Sequence, residues 1–263
     1  MLVLIRGAGD IATGIALRLY RTGIQVVMTD LPRPTAIRRT VCFSPAITDG
    51  ETVVEDVRAV RADSPAQALS LLAQGAVPVL PDPECLCREQ LHPDALVDAI
   101  LAKRNLGTRI TDAPVVVGIG PGFTAGEDCH AVVETMRGHT LGRAIYQGSA
   151  LPNTNIPGLV GGYAGERVLR APADGVFTRI LDIGDEVQPG DIAGTVNGQP
   201  MKCTIGGLVR GILPSGTPVH LGMKSGDVDP RCKPEYCTTA SDKALAVGGG
   251  ALEAILHLTG ALR

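Results

Sequence analysis

Apolar residues along the first 110 positions fall into short continuous runs separated by stretches of helical spacing. Leu2-Val3-Leu4-Ile5 predicts a buried strand. Ile11, Ile15, Leu17 and Leu19 predict the helix that follows, and Gln25-Val26-Val27-Met28-Thr29 the next strand. Val77-Pro78-Val79-Leu80 and Val115-Val116-Val117 read as further strands. Between them, His92-Pro93-Asp94 starts a predicted helix with Leu96, Val97, Ile100 and Leu101 on its apolar face. Lys103 and Arg104 close that helix and Gly107 stops it. A second polar-rich helix is expected over Asp128, His130, Glu134, Arg137 and His139, with His130 and Glu134 sharing a face. From about 168 to 229 the pattern changes to short β-like runs broken by Gly and Asp turns. Ser241 to Leu258 predicts a terminal helix. Gly248-Gly249-Gly250 within it demand either very close helix packing or a ligand-binding turn, because each helical Gly costs about 1 kcal/mol relative to Ala.

The first strand runs into Gly7-Ala8-Gly9-Asp10-Ile11-Ala12, a G-x-G-x-x-A turn between a strand and a helix. Glycines there let the backbone approach a pyrophosphate seated on the helix N-terminus. Asp30 closes the second strand 21 residues after Gly9, where an acid binds ribose hydroxyls. Arg33, in the loop beyond it, suits an additional phosphate. A second glycine turn, Gly118-Ile119-Gly120-Pro121-Gly122, follows the Val115–Val117 strand and falls at the same sheet edge. Gly7, Gly9, Asp10, Ala12, Asp30, Arg33, Gly118, Gly120 and Gly122 are therefore the candidate cofactor-binding residues. A dinucleotide is the ligand expected.

These patterns predict an α/β chain: a Rossmann-like parallel sheet over 1–165, a β-rich domain over 168–229, and a 230–263 segment whose helix packs back on the first domain. The 168–229 stretch has an internal two-fold repeat, Asp174-Gly175-Val176 to Gly190 and Gly206-Gly207-Leu208 to Gly222. That repeat resembles biotinyl/lipoyl-like barrel-sandwich domains. Met201-Lys202 falls near their carrier lysine, although Pro200 and Cys203 flank it where carriers usually have Ala and Met.

Composition narrows the function classes. A hydrophobic share of 44% with no Trp and only 3% aromatics implies an aliphatic core. It leaves few stacking platforms for single-stranded nucleic acid. A net charge of −3 gives no basic excess for a phosphate backbone. The uncharged stretch from Ala144 to Gly165 is rich in Pro, Gly and Asn and reads as a loop, not a membrane span. The apolar N-terminal run is too short for a signal peptide. With an odd count of 7 Cys, these features predict a cytoplasmic protein with reduced thiols. Self-association is left open.

The cysteines offer a second chemistry. Cys85-Leu86-Cys87 and the pair Cys232 and Cys237 both lack the usual C-x2-C zinc spacing, and no metal site is assigned. Cys237, near Lys233 and Lys243, is the first candidate for an exposed, ionised thiolate and Cys232 the second. Cys42, Cys129 and Cys203 read as packing residues.

Several stretches together resemble the YqeB-type accessory proteins of selenium-dependent molybdenum hydroxylases. They are Gly7–Gly14, Leu96–Thr108, Gly118–Asp128, Glu134–Arg143, Asn153–Gly158, Lys224–Arg231 and Ser241–Leu256. The first part is also similar to xanthine dehydrogenase accessory proteins of the XdhC/CoxI type. The resemblance implies binding of molybdenum cofactor, a pterin dinucleotide, and a maturation role in its sulfuration, selenation or insertion. The implied partner is a molybdenum hydroxylase apoenzyme. The alternative is an NAD(P)-dependent oxidoreductase acting on a small metabolite, with His130, His139 and Lys103 as loose proton-donor candidates. Whether any reaction is catalysed is left open.

Overall fold

The computed structural model describes residues 1–154 and 156–261. Asn155, within one of the resembling stretches, and positions 262–263 lie outside the described residues. The chain divides into two compact units, one of residues 1–34, 42–153 and 240–263, the other of residues 35–41 and 154–239.

The first unit is built on a nine-stranded sheet. Its strands are β1 (Leu2–Arg6), β2 (Gln25–Thr29), β3 (Glu51–Val54), β4 (Val57–Arg61), β5 (Val77–Leu80), β6 (Ala95–Asp98), β7 (Val115–Ile119), β9 (Ala131–Val133) and β10 (Ala144–Ile145). β8 (Thr124–Ala125) and β11 (Gly148–Ser149) form a separate pair. The helices are α1 (Asp10–Arg21), α2 (Ala46–Asp49), α3 (Pro65–Ala73), α4 (Arg88–Leu91) and α5 (Asp242–Thr259). Strand order across the large sheet is β10-β9-β7-β6-β1-β2-β5-β4-β3. The central strands are parallel, and β3 and β10 at the two edges pair antiparallel with β4 and β9. β6 and β7 are buried throughout, and apolar but for Asp98 and Gly118, as parallel strands covered on both faces must be.

This corrects the Rossmann-like reading. The sheet is mixed, and the connection of residues 99–114 between parallel β6 and β7 contains no helix. Of the helix expected over 92–104, residues 95–98 form strand β6 and 99–104 are irregular. Leu96 and Val97 fit helical spacing, but pairing with β1 and β7 claims them first, and His92 sits in a left-handed conformation. The helix expected around His130 and Glu134 is likewise strand β9 and turns. His130 accepts the Val116 amide through Nδ1 at 3.0 Å, while Glu134 is buried.

The second unit contains two four-stranded antiparallel sheets. One comprises β12 (Val168–Arg170), β14 (Glu186–Val187), β17 (Gly207–Ile212) and β19 (Lys224–Asp229); the other β13 (Gly175–Arg179), β15 (Ile192–Val196), β16 (Gln199–Lys202) and β18 (Pro218–Val219). Phe177, Val196, Met201, Val209, Ile212 and Val228 fill its core. The biotinyl/lipoyl-like reading is corrected as well. The β15–β16 hairpin turns at Asn197-Gly198, while buried Met201 and Lys202 lie farther along β16, away from the tip where a carrier lysine belongs. Among the described residues, no helix is long and apolar enough to cross a membrane.

Glycine at α5 has a packing reason. Ser241 caps the helix, its hydroxyl accepting the Ala244 amide at 3.2 Å. α5 then runs against α1 so closely that a Cβ on Gly248 would lie 2.7 Å from the Gly14 carbonyl oxygen, and one on Gly14 would lie 2.6 Å from Ala244 Cβ. A Cβ on Gly250 would collide with the Gly142 carbonyl, whereas one on Gly249 would meet nothing within 4 Å beyond its own helix. Gly249→Ala is therefore expected to raise stability by up to about 1 kcal/mol, as an ordinary helical Gly-to-Ala change does. Gly250→Ala should lower it by about 1–3 kcal/mol through overpacking. Denaturant melts of both variants check this, and equal effects would contradict it.

Candidate functional site

At the carboxyl end of β1 the chain enters Gly7 with φ +106°. The Gly7 amide donates to the Thr29 carbonyl at 2.8 Å, and a Cβ at Gly7 would meet the Ala99 carbonyl oxygen at 2.9 Å. Glycine here allows the loops after β1 and β6 to approach each other. The Ala8 amide donates to Asp30 Oδ2 at 2.9 Å, and the Leu31 amide to Oδ1 at 2.7 Å. Burial raises the Asp30 pKa and these two amides oppose the rise. Asp30 thus ties the second strand to the glycine turn.

Gly9 is the N-cap of the 12-residue helix α1, in extended conformation, with no side chain capping the free amides. Nothing lies within 4 Å of where its Cβ would be. The amides of Gly9 and Ala12 have no acceptor among the described residues, and Asp10 accepts the Ile11 amide at 2.9 Å. The Phe43 amide donates to Thr13 Oγ1 at 2.9 Å and the Ser44 amide to the Ala8 carbonyl at 3.0 Å, so residues 43–44 brace the turn. The buried Ser44 hydroxyl has no partner among the described residues.

Lys243, second residue of α5, adds a cation. It is half-buried, and burial lowers its pKa. Asp10 and Glu134 oppose that shift, while Arg137 and Lys103 reinforce it. A lysine in the first turn of a helix opposes that helix's own dipole. Here it stands in the field of Asp10, at the start of α1. Arg137 is held by Asp242 through two bonds of 2.6 and 2.9 Å. Buried Glu134 accepts the Met136 and Leu151 amides at 2.6 and 2.8 Å. Lys103 is exposed, with φ +62°.

The second glycine turn does a different job. A Cβ on Gly118 would strike the Phe123 ring at 2.5 Å, one on Gly120 the Thr135 hydroxyl at 2.8 Å, and one on Gly122 the Arg104 backbone at 2.5 Å. These three glycines are accounted for by packing, and Gly122 lets the Arg104 backbone approach the turn after β7. Arg33 is exposed on the loop after β2. Of the residues singled out in the sequence, the structure brings Gly7, Gly9, Asp10, Ala12 and Asp30 into one turn. Lys243 and Ser44 join it from distant positions. Lys243 had a readable signal, a cation where a helix start favours an acid; Ser44 had none.

The two candidate thiols stand in unlike surroundings. Cys237 ends a 3-10 turn, Pro234–Cys237, and is buried; its thiol reaches the Val209 carbonyl at 3.9 Å. Burial raises its pKa, outweighing Arg38 and Arg210 beside it. The expected exposed thiolate at Cys237 is therefore corrected. Cys232 is exposed, with φ +51°. The Lys224–Arg231 stretch is explained by a buried ionic network. Asp227 bonds Arg167 and Arg210, while Asp229 bonds Arg210 at 3.3 Å and Arg231 at 2.6 Å. Arg231 also lies 4.3 Å from the centre of the Tyr236 ring.

No family model matches the chain. It is 51% identical over 257 residues to "Uncharacterized protein YqeB" of Escherichia coli (strain K12), an alignment covering 98% of this chain and 48% of that protein. The chain thus spans about half the length of the curated relative it matches. Two solved structures are similar at low level. One is a succinylglutamate desuccinylase/aspartoacylase from Rhodobacter sphaeroides, with 16% identity, TM-score 0.24, and coverage of 52% of this chain and 58% of that one. The other is an aspartoacylase family protein from Mesorhizobium loti, with 13% identity, TM-score 0.25, and coverage of 78% and 84%. Likenesses this weak carry no argument about the activity of this chain. The accessory-protein resemblance is corrected by these findings. The sequence relative bears no activity in its name, so no accessory role passes from it to this chain. The molybdenum hydroxylase maturation role, its selenium chemistry and the NAD(P)-dependent oxidoreductase alternative are withdrawn.

In the native protein Cys232 is expected to alkylate at least about tenfold faster than Cys237, since thiol reactivity follows exposure and thiolate fraction. Peptide mapping after timed alkylation measures this, and a faster Cys237 would contradict its burial.

Proposed function

We propose that the protein binds a phosphate-bearing small molecule, of the nucleotide or dinucleotide class, at the N-terminus of α1. The carrying observation is the open Gly9 cap, a helix start where Asp10 takes the Ile11 amide but the Gly9 and Ala12 amides meet no acceptor among the described residues. Helix N-termini favour anions through these amides and the helix dipole. Lys243 supports the reading, because a half-buried ammonium with a lowered pKa gains from a bound anion. Asp30 supports a ribose-bearing ligand: it is anchored by two amides yet not fully buried, leaving acceptor capacity for hydroxyls. A cytoplasmic setting belongs to the same proposal and is supported by seven cysteines, none of them disulfide-bonded.

Calorimetric titration with adenosine diphosphate and NAD tests the reading. Gly9→Val has room for its side chain, so the melting temperature should hold while affinity falls at least about tenfold, the side chain occupying the phosphate position. Lys243→Met should lower affinity and raise stability near neutral pH together. Because the Lys243 pKa is lowered in the folded state, that state binds fewer protons than the unfolded chain between the lowered value and 10.5. Stability contributed by this group therefore rises with pH through that window, and below it the cost of the buried charge is complete. Ligand affinity should fall as pH rises through the lowered Lys243 pKa, because the ammonium that attracts the anion is lost. Binding that is unaltered in both variants would refute the site.

A further inference from the structure

Cys85 and Cys87 lie in the turn that follows β5, away from the α1 cap. Asp82 organises this turn, its carbonyl accepting the Cys85 amide at 3.1 Å and its carboxylate the Cys87 amide at 2.8 Å. Cys85 adopts φ +57°, in the left-handed region that side-chain-bearing residues seldom enter. The reversal leaves Leu86 58% exposed and buries both flanking thiols, Cys85 to 2% and Cys87 to 5%, in one apolar cluster. The Arg88 amide closes the turn on the Cys85 carbonyl at 3.3 Å. Two peptide units span at most about 7 Å even when extended. Disulfides bridge Cα separations of roughly 4.4–6.8 Å, within that reach. The thiols are close enough to influence each other. Hydrogen bonding with Cys85 is the leading cause of the raised Cys87 pKa, followed by burial and then by Cys85 and Asp82.

Cys85 also lines a cavity of about 290 Å³ together with Arg6, Glu84, Arg88, Thr108, Arg109 and Asp112, Glu84 lying 3.8 Å from the Arg6 guanidinium. Arg6 is fixed in its wall, bonded to Asp98 at 3.4 Å and Thr108 at 3.0 Å. Arg88 is anchored to the Cys85 carbonyl at 2.9 Å and to Asp112 at 3.5 Å. Arg109 is exposed. Of the pair, Cys85 borders this space, together with three guanidinium groups and the carboxylates of Glu84 and Asp112.

We propose that Cys85 and Cys87 form a redox-active dithiol whose substrates are small anionic disulfides admitted through this arginine-lined cavity. This site is separate from the proposed phosphate site. Cys85, as thiolate, attacks one sulfur of the substrate. The substrate S–S bond breaks, and the first small thiol departs carrying the proton that Cys85 gave up. The Cys87 sulfur then attacks the Cys85 sulfur of the mixed disulfide, its proton passing through the Asp82 carboxylate to the second departing thiolate. Two electrons move from the dithiol to the substrate, leaving a Cys85–Cys87 disulfide and two small thiols.

The native chain is incubated with glutathione disulfide, alkylated and mapped by mass spectrometry. The expected product is a Cys85–Cys87 peptide lighter by two hydrogens. Cys87→Ser should instead retain glutathione on Cys85. Cystamine, a cationic disulfide, should react at least about tenfold more slowly, with the gap closing at high salt. Recovery of Cys85 and Cys87 as alkylated thiols while Cys232 carries glutathione would overturn the proposal. Oxidation of the pair only after unfolding would overturn it too, and equal rates for the two disulfides would overturn the arginine-gated specificity. The wild-type arm needs no variant to fold, and the phosphate site can fail its own titration without affecting this result.

Discussion

Close approach of α1 and α5 is the contact on which the candidate site depends. Gly14 and Gly248 remove the side chains that would hold the helices apart, so Gly248 comes against the Gly14 carbonyl and Ala244 against Gly14 itself. In a close-packed interior such a crossing tolerates almost no added volume. It also fixes where the first turn of α5 lies, and with it Lys243. The same glycines that shape the core therefore deliver a cation to the start of another helix. Had α5 been an ordinary Ala/Leu helix, the wider spacing would have carried Lys243 away from Asp10.

The charges at this place make physical sense as a set. An uncapped helix start attracts anions, a buried ammonium is costly without one, and Glu134 is occupied by two backbone amides. Asp10 partly balances Lys243. Asp30 holds the glycine turn in shape through the Ala8 amide, so it is a structural member of the site before it meets any ligand. The Gly118–Gly122 turn contributes indirectly, by letting the 101–104 loop pack against it.

The β1–α1–β2 segment was legible in the sequence because its signals are local. A buried apolar run, a glycine turn, an apolar helical stripe and a terminal acid all lie within 30 residues. Strand β6 was not legible, because its apolar residues fit a helix and only β1 and β7, distant in sequence, decide otherwise. Antiparallel pairing at the sheet edges, and the hairpin tip that misses Lys202, are tertiary in the same sense. Cys237 misled because the fold buries it, and burial outweighs the cations that do act on it, Arg38 and Arg210 rather than the lysines near it in sequence. The glycines of the second turn suggested a ligand, although packing against Phe123, Thr135 and Arg104 accounts for them.

The central claim is that the start of α1 is an anion site completed by α5. Backbone amide NMR during titration with adenosine diphosphate addresses it residue by residue. The account expects the largest shifts at the amides of Gly9, Asp10 and Ala12, with a concurrent change in the first turn of α5 around Lys243. Saturating ligand that leaves those amides unmoved, or that shifts only residues elsewhere in the chain, would contradict it.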